Sequence, residues 1–215
     1  MEELRAIADP VAHPNSHYRG GGPVMGVRMG ELFAVAKRHA DLPLAEVSTL
    51  LDMPAYEPRL TAFCILDFAV RSPRLGEDGR EACSRLYLDR HDAIDSWDMV
   101  DRAAPRVIGG HLRDRSRAPL FDLAASPDPL RRRTAITAPL AYTRPPDPDG
   151  IADLLRLAEL LLEDRDPLVS TPVGTALKHA GSAAPDAVAA FLARLGDRVP
   201  APIRRAAREK LPPGA

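Results

Sequence analysis

The chain has 215 residues, with 29 basic and 30 acidic side chains and a formal net charge of −1. This length suits one domain or one short repeat array that can bury a sizeable core. Apolar residues make up 45% and charged residues 27%, a composition that excludes wholesale disorder. The 34 Ala and 27 Leu residues far outnumber the 12 Val and 7 Ile residues, which argues against a β sandwich or barrel.

Apolar residues recur with helical spacing through most of the chain, as in the stripe Ile151, Leu154, Leu155, Ala158. Punctuation by Pro, Gly and Asp predicts helices near 2–8, 30–40, 44–52, 57–71, 79–91, 97–112, 117–125, 129–142, 150–164, 168–180, 186–195 and 201–210. Short helices joined by short polar turns predict an all-α, HEAT-like helical-repeat solenoid with a concave, positively charged groove. We expect this solenoid to form a single domain over residues 1–215.

One segment, residues 10–29, lacks helical spacing and contains the run Gly20-Gly21-Gly22-Pro23. No Gly-Lys-Ser/Thr follows the glycines, so the segment does not predict a phosphate-binding loop. We expect a flexible loop between the first helix and the array.

The cysteines and the amino terminus indicate the cellular compartment and whether the protein binds a metal. Cys64 and Cys83 are the only cysteines, too few for a disulfide framework, and they form no C-x-x-C zinc motif. No apolar run approaches the ~20 residues that cross a membrane. The first five residues are acidic and lack the features of a signal peptide. We expect a cytoplasmic protein with no membrane association and no metal.

Charge is divided unevenly along the chain. Residues 1–101 carry 11 Lys/Arg against 17 Asp/Glu, whereas residues 102–215 carry 18 against 13. Only three of the 29 bases are Lys, and the Arg guanidinium is the better fork for phosphate. The second half is therefore where a polyanion would bind, unless the preference for Arg is only a compositional habit of the genome.

The most informative string is Asp95-Ser96-Trp97-Asp98-Met99-Val100-Asp101. Asp95 or Ser96 is a good N-cap, which predicts a helix beginning at Trp97. Trp97 and Asp101 are then i and i+4 neighbours on one helix face. The helix dipole stabilises a carboxylate in the first turns, and an aromatic face beside an anion can bind a cation. The alternative is that Trp97 packs two helices together.

A second string, Pro129-Leu130-Arg131-Arg132-Arg133, begins a helix that Asp128 can cap. At ~100° per residue, three consecutive arginines spread over about 300° of the helix circumference. At least one of them must face inward or into a groove, where it needs a carboxylate or phosphate partner. A solvated basic face is the alternative, and we expect it for Arg131.

These two strings, Ser96–Asp101 and Leu130–Ile136, together resemble the AlkD-like DNA alkylation repair family. Residues 25–28, 51–62 and 195–211 are similar to further parts of the family, so the resemblance covers roughly residues 24 to 211. It implies a HEAT-like solenoid and a DNA glycosylase that excises positively charged alkylated purines, such as 3-methyladenine and 7-methylguanine, from duplex DNA in base-excision repair. It implies no metal and no cofactor.

Carried over residue by residue, the resemblance implies three catalytic positions. Trp97 lines the damaged nucleotide, Asp101 is the catalytic carboxylate and Arg133 is the cation that holds the DNA backbone. Arg133 is chosen because two small residues and an aliphatic one follow it. We expect a monomer whose further DNA contacts come from Arg132, Arg102, Lys178 and Arg204.

Two other functions stay open at this point. The family often has a second tryptophan where this chain has Thr175, which favours a catalytically inactive solenoid that binds bent or branched DNA. The balanced overall charge favours a protein-binding helical scaffold instead.

Overall fold

The computed structural model describes residues 1–212, and within them the backbone forms twelve α-helices. The helices are α1 (Glu2–Ala6), α2 (Met29–Arg38), α3 (Leu44–Leu51), α4 (Tyr56–Ala69), α5 (Gly76–Asp89), α6 (Trp97–Ala104), α7 (Ala118–Ala124), α8 (Pro129–Thr137), α9 (Pro148–Leu160), α10 (Pro167–Ala183), α11 (Pro185–Leu195) and α12 (Ala201–Arg208). In these residues the only β pairing is an isolated bridge between Thr143 and Pro146. The all-α prediction is confirmed.

Two predicted helices are shorter than the apolar spacing indicated. The helix expected over 97–112 ends at Ala104, and Pro105 begins a π-helical turn that runs to Gly109. The helix expected over 129–142 ends at Thr137 and continues as a 3-10 turn that contains Pro139. Proline lacks the N–H that an α-helix needs and its ring clashes with the preceding turn. Apolar spacing alone does not take these prolines into account, so it predicts helices that are too long.

Asp-Pro pairs begin several helices in the second half of the chain. The Asp side chain accepts a hydrogen bond from a backbone N–H in the first turn, and Pro occupies the first helical position, where no N–H is needed. The capping residues are Asp128, Asp147 and Asp166, with N–H to Oδ1 distances of 2.9, 3.0 and 2.9 Å. The start of α9 at Pro148 is therefore two residues earlier than the predicted start at residue 150.

The backbone divides into two compact units, the first from Met1 to Val107 and the second from Ile108 onward. In the first unit α4 is buried along nearly its whole length and packs against α2, α3 and α6. In the second unit α10 packs against α8, α9, α11 and α12. The single domain over 1–215, the solenoid and its groove stay predictions, and the last three residues of that range lie outside the described residues.

Both cysteines lie in the core of the first unit. Burial raises the pKa of the Cys64 thiol to about 12 and also raises the pKa of Cys83. Both are therefore protonated near neutral pH. Over the described part of the chain, no helix is both long and apolar enough to cross a membrane.

Candidate nucleic-acid interface

Trp97 is the first residue of α6, as predicted, and its side chain is 40% exposed. It borders an apolar cavity of about 320 Å³ within the first unit, together with Met29, Phe33 and Leu60. Polar groups at the edge of this cavity come from His17, Asp98 and Arg102. The indole is thus partly exposed and partly covered by residues of the first unit. We call this cavity the Trp97 pocket.

Asp101 follows Trp97 by one helical turn and lies on the exposed surface of α6. The predicted adjacency of an indole and a carboxylate on one helix is therefore present.

A second carboxylate, Asp98, borders the Trp97 pocket and was not predicted as a site residue. The hydroxyl of Tyr56 donates a hydrogen bond to its Oδ2. His17 Nε2 lies 3.3 Å from the same Oδ2 and 3.0 Å from Tyr56 Oη. Burial, and then the Asp98 carboxylate, raise the pKa of Tyr56, so this hydroxyl stays a donor. Asp98 is held in place by two side chains that come from α4 and from the loop before α2.

The loop before α2 is non-helical, as predicted, and it is attached to the buried carboxylate of Glu57. The backbone N–H groups of Met25 and Gly26 each donate to Glu57 at 2.8 Å, and Asn15 Nδ2 donates at 2.7 Å. Three donors on one carboxylate compensate for its burial. Gly26 has φ +81°, a conformation that favours glycine and turns the chain toward α4.

Arg59, two residues after Glu57, joins α4 to the segment that precedes α6. Its guanidinium donates to Asp95 Oδ2 at 2.7 Å and to the Ala93 carbonyl at 3.1 Å. Tyr18 of the loop donates to the same Asp95 oxygen. The Glu57-x-Arg59 spacing, one part of the family resemblance, thus has a local structural explanation. Glu57 fixes the loop before α2, and Arg59 fixes the segment that leads into Trp97.

The arginine string of α8 lies in the second unit. Arg131 is 41% exposed, whereas Arg133 is only 7% exposed and donates from Nη1 to the Leu168 carbonyl at 2.8 Å. The prediction that one of the three arginines faces inward is confirmed. Arg131 is intermediate in exposure and its Nε lies 4.0 Å from Asp128 Oδ2, so it is solvated only in part.

The other predicted DNA-binding cations each lie against a carboxylate. Arg102 of α6 pairs with Asp67, and the remaining pairs, all in the second unit, are Arg132 with Asp164, Arg204 with Asp197 and Lys178 with Glu209. Trp97, Asp101 and Arg102 thus share one helix of the first unit. Arg132, Arg133, Lys178 and Arg204 belong to three helices of the second.

Thr175, at the position of the second tryptophan expected from the resemblance, is exposed on α10. Its hydroxyl donates to the Thr171 carbonyl at 3.3 Å. It borders a cavity of about 490 Å³ in the second unit, beside Gly174 and Ile203. This cavity has no aromatic side chain in its lining.

The fold is that of an all-helical protein, and it is similar to the fold of a solved structure. A solved structure described as "Predicted DNA alkylation repair enzyme from Enterococcus faecalis" matches with a TM-score of 0.65 and 14% identity, over 89% of this chain and 90% of that one. A family model described as DNA alkylation repair enzyme matches residues 1–211. The chain belongs to this family, and the resemblance deduced from its motifs is confirmed. No curated protein matches the sequence.

Proposed function

We propose that the protein is a DNA glycosylase that releases positively charged alkylated purines, such as 3-methyladenine and 7-methylguanine, from duplex DNA during base-excision repair. Membership of the DNA alkylation repair family supports a role in repairing alkylated DNA. The observation that carries the glycosylase activity is the exposed indole of Trp97 one helical turn before the exposed carboxylate of Asp101.

The chemistry of the substrate suits these groups. A purine alkylated at N3 or N7 is already cationic, so its glycosidic bond is weak and no metal or cofactor is required to make it leave. The remaining barrier is the oxocarbenium-like deoxyribose, as in other glycoside hydrolyses. Asp101 would stabilise this cation and orient the attacking water. The Trp97 face would add a cation–π contribution on the order of 1–2 kcal/mol.

Arg133 is proposed to bind a backbone phosphate and so to fix the position of the sugar. A guanidinium gives a phosphate two parallel hydrogen bonds. The Leu168 carbonyl already holds one of its nitrogens, so less conformational freedom is lost when an anion binds. Arg102, Arg132, Lys178 and Arg204 are proposed as additional backbone contacts.

The decisive experiment measures release of 7-methylguanine from a methylated duplex under single-turnover conditions. We expect Asp101→Asn and Trp97→Ala to lower the rate constant by tenfold or more, while Asp78→Asn, an exposed carboxylate change on α5, leaves it unchanged. Release by Asp101→Asn at the wild-type rate would refute the proposed role of Asp101. The variants are compared at equal saturation with DNA, so that binding and chemistry are separated.

A catalytically inactive DNA-binding protein is the second candidate, and Thr175 favours it. Where the resemblance leads us to expect a second indole, this chain has a short hydroxyl side chain that bonds its own helix. Salt-sensitive binding to bent or branched duplexes without release of any methylated base would select this candidate.

A further inference from the structure

Three arginines of the first unit converge on one fully buried carboxylate, Asp67 of α4. Arg102 Nη2 lies 3.0 Å from Oδ2 and Arg106 Nη1 lies 3.3 Å from Oδ1. Arg71, one turn after Asp67, pairs with the same carboxylate. We call Arg71, Arg102 and Arg106 the arginine cluster.

The charges within this cluster do not balance. Asp67 carries one negative charge, whereas the three guanidiniums in contact with it carry three positive charges. The nearby Cys64 contributes no anion, because burial raises its pKa to about 12 even though Arg102 acts in the opposite direction. Asp98 borders the Trp97 pocket with Arg102, but Tyr56 and His17 hold its carboxylate. A positive surplus packed on a buried carboxylate is a ready site for an anion.

Aromatic rings hold two of the three guanidiniums in position. Arg102 stacks over Phe33 and Phe68, with 4.5 and 4.7 Å from the guanidinium carbon to the ring centroids. Arg71 lies 4.8 Å from the centroid of Phe68. Stacking fixes the plane of a guanidinium and leaves its edges free to form a fork of donors.

All three side chains also reach solvent. Their exposed fractions are 53% for Arg106, 37% for Arg71 and 22% for Arg102. Arg102 and Phe33 additionally border the Trp97 pocket. An anion held by the cluster would therefore lie beside the surface that presents Trp97.

We propose that the arginine cluster is a phosphate-binding site that holds the backbone of duplex DNA next to the Trp97 pocket. This inference rests on the proposed function and deepens it, because it identifies a backbone contact in the first unit, to which Arg102 and Arg106 belong although the sequence count placed them in the positive half. The charge counted along the sequence predicted that a polyanion binds the second half of the chain. Folding concentrates three of the first unit's arginines around one acid.

The test measures binding of the full-length protein to an unmodified 16-base-pair duplex as a function of salt concentration. Each lost phosphate contact lowers the slope of log K against log salt by about 1. We expect that decrease for Arg106→Gln and for Arg71→Gln. Arg85→Gln is the matched control, because Arg85 is an exposed arginine of the same unit paired with a single acid, Glu81, and its slope should equal that of the wild type.

Folding of the variants is checked by thermal unfolding. Arg106→Gln leaves Asp67 with two partners, so it tests the proposal even if Arg71→Gln fails to fold. A wild-type slope for folded Arg106→Gln would overturn the proposal, as would an equal decrease for Arg85→Gln. Tighter binding of duplex RNA with the same slopes would overturn the assignment to DNA. This binding assay does not depend on base release. If the protein shows these slopes but releases no base, the proposed glycosylase activity is refuted and the proposed phosphate-binding site is still supported.

Discussion

The ring of His17 packs edge-on against the indole of Trp97, with centroids 6.3 Å apart and an interplanar angle of 65°. One residue belongs to the loop before α2 and the other begins α6. Edge-to-face contacts of this kind favour a single ring orientation. The loop therefore takes part in building the Trp97 pocket, in addition to connecting α1 to α2.

The first prediction concerns that contact. We expect His17→Ala to loosen the indole, since the ring edge and the hydrogen bonds to Asp98 and Tyr56 are lost together. Trp97 is the only tryptophan, so its fluorescence reports the change directly. Emission should shift to longer wavelength and acrylamide quenching should increase. His17→Phe keeps an aromatic edge and should restore most of the wild-type quenching.

An unchanged quenching constant in His17→Ala would show that the indole is fixed by other contacts. A change in His13→Ala, where a partly exposed loop histidine is removed, would point to a general effect on the loop instead.

The second prediction separates two carboxylates on one helix. Asp98 accepts from Tyr56 and contacts His17, so Asp98→Asn should lower the free energy of unfolding by about 1–3 kcal/mol. Asp101 is exposed, and Asp101→Asn should change stability by less than about 0.5 kcal/mol. Base release should follow the opposite order when measured on folded protein. Urea unfolding and single-turnover release on the same preparations provide the comparison, and equal loss of release in both would contradict the division of roles.

The helices could be predicted from the sequence because apolar spacing, Asp-Pro caps and Gly stops act locally. The same local rules predict that α6 begins at Trp97 and that one arginine of the string 131–133 is buried, which is Arg133. Contacts between segments remote in the sequence could not be predicted this way. His17 meets Asp98 only because Glu57 captures the loop, and nothing in the spacing of these residues indicates that contact.

Charge shows the same limit. Dividing the chain at residue 101 concealed the cluster around Asp67, because Arg71 was counted in the acidic half and Arg102 and Arg106 in the basic half. Conversely, Arg132 and Lys178 were predicted as DNA contacts, and both lie against carboxylates. Local pairing decides what a charged side chain can bind.

The third prediction tests how the loop is attached. Glu57→Gln keeps the shape of the side chain but turns one accepting oxygen into a donor, which faces the Met25 N–H if it replaces Oε2 and the Gly26 N–H if it replaces Oε1. A buried donor without an acceptor costs about 1–3 kcal/mol. Amide hydrogen exchange over residues 15–28 should become faster by about tenfold or more. Exchange in α10 is the internal control and should not change, whereas uniform acceleration along the chain would indicate global destabilisation.

The fourth prediction is a pH dependence. Hydrogen bonds from Arg38, and then from His39, lower the pKa of Glu3 from its ordinary value of 4.5 to about 2. A carboxylate with a lowered folded pKa stabilises the fold fully above pH 4.5, and that contribution is lost as the pH falls toward 2. Glu3→Gln should therefore lower the melting temperature slightly at pH 6, and the two proteins should converge near pH 2. A constant difference at every pH would contradict the ion-pair explanation, and Glu2→Gln on the same helix is the control.

The last prediction compares neighbouring arginines of α8. Arg133 is buried with one nitrogen on the Leu168 carbonyl, whereas the Arg131 side chain is 41% exposed. If Arg133 holds a phosphate, Arg133→Lys keeps the charge but loses the two parallel hydrogen bonds, so single-turnover release at saturating DNA should fall about tenfold or more. Arg131→Lys should match the wild type. A role limited to packing α8 against α10 would instead lower the melting temperature of Arg133→Lys while the folded variant released the base at the wild-type rate.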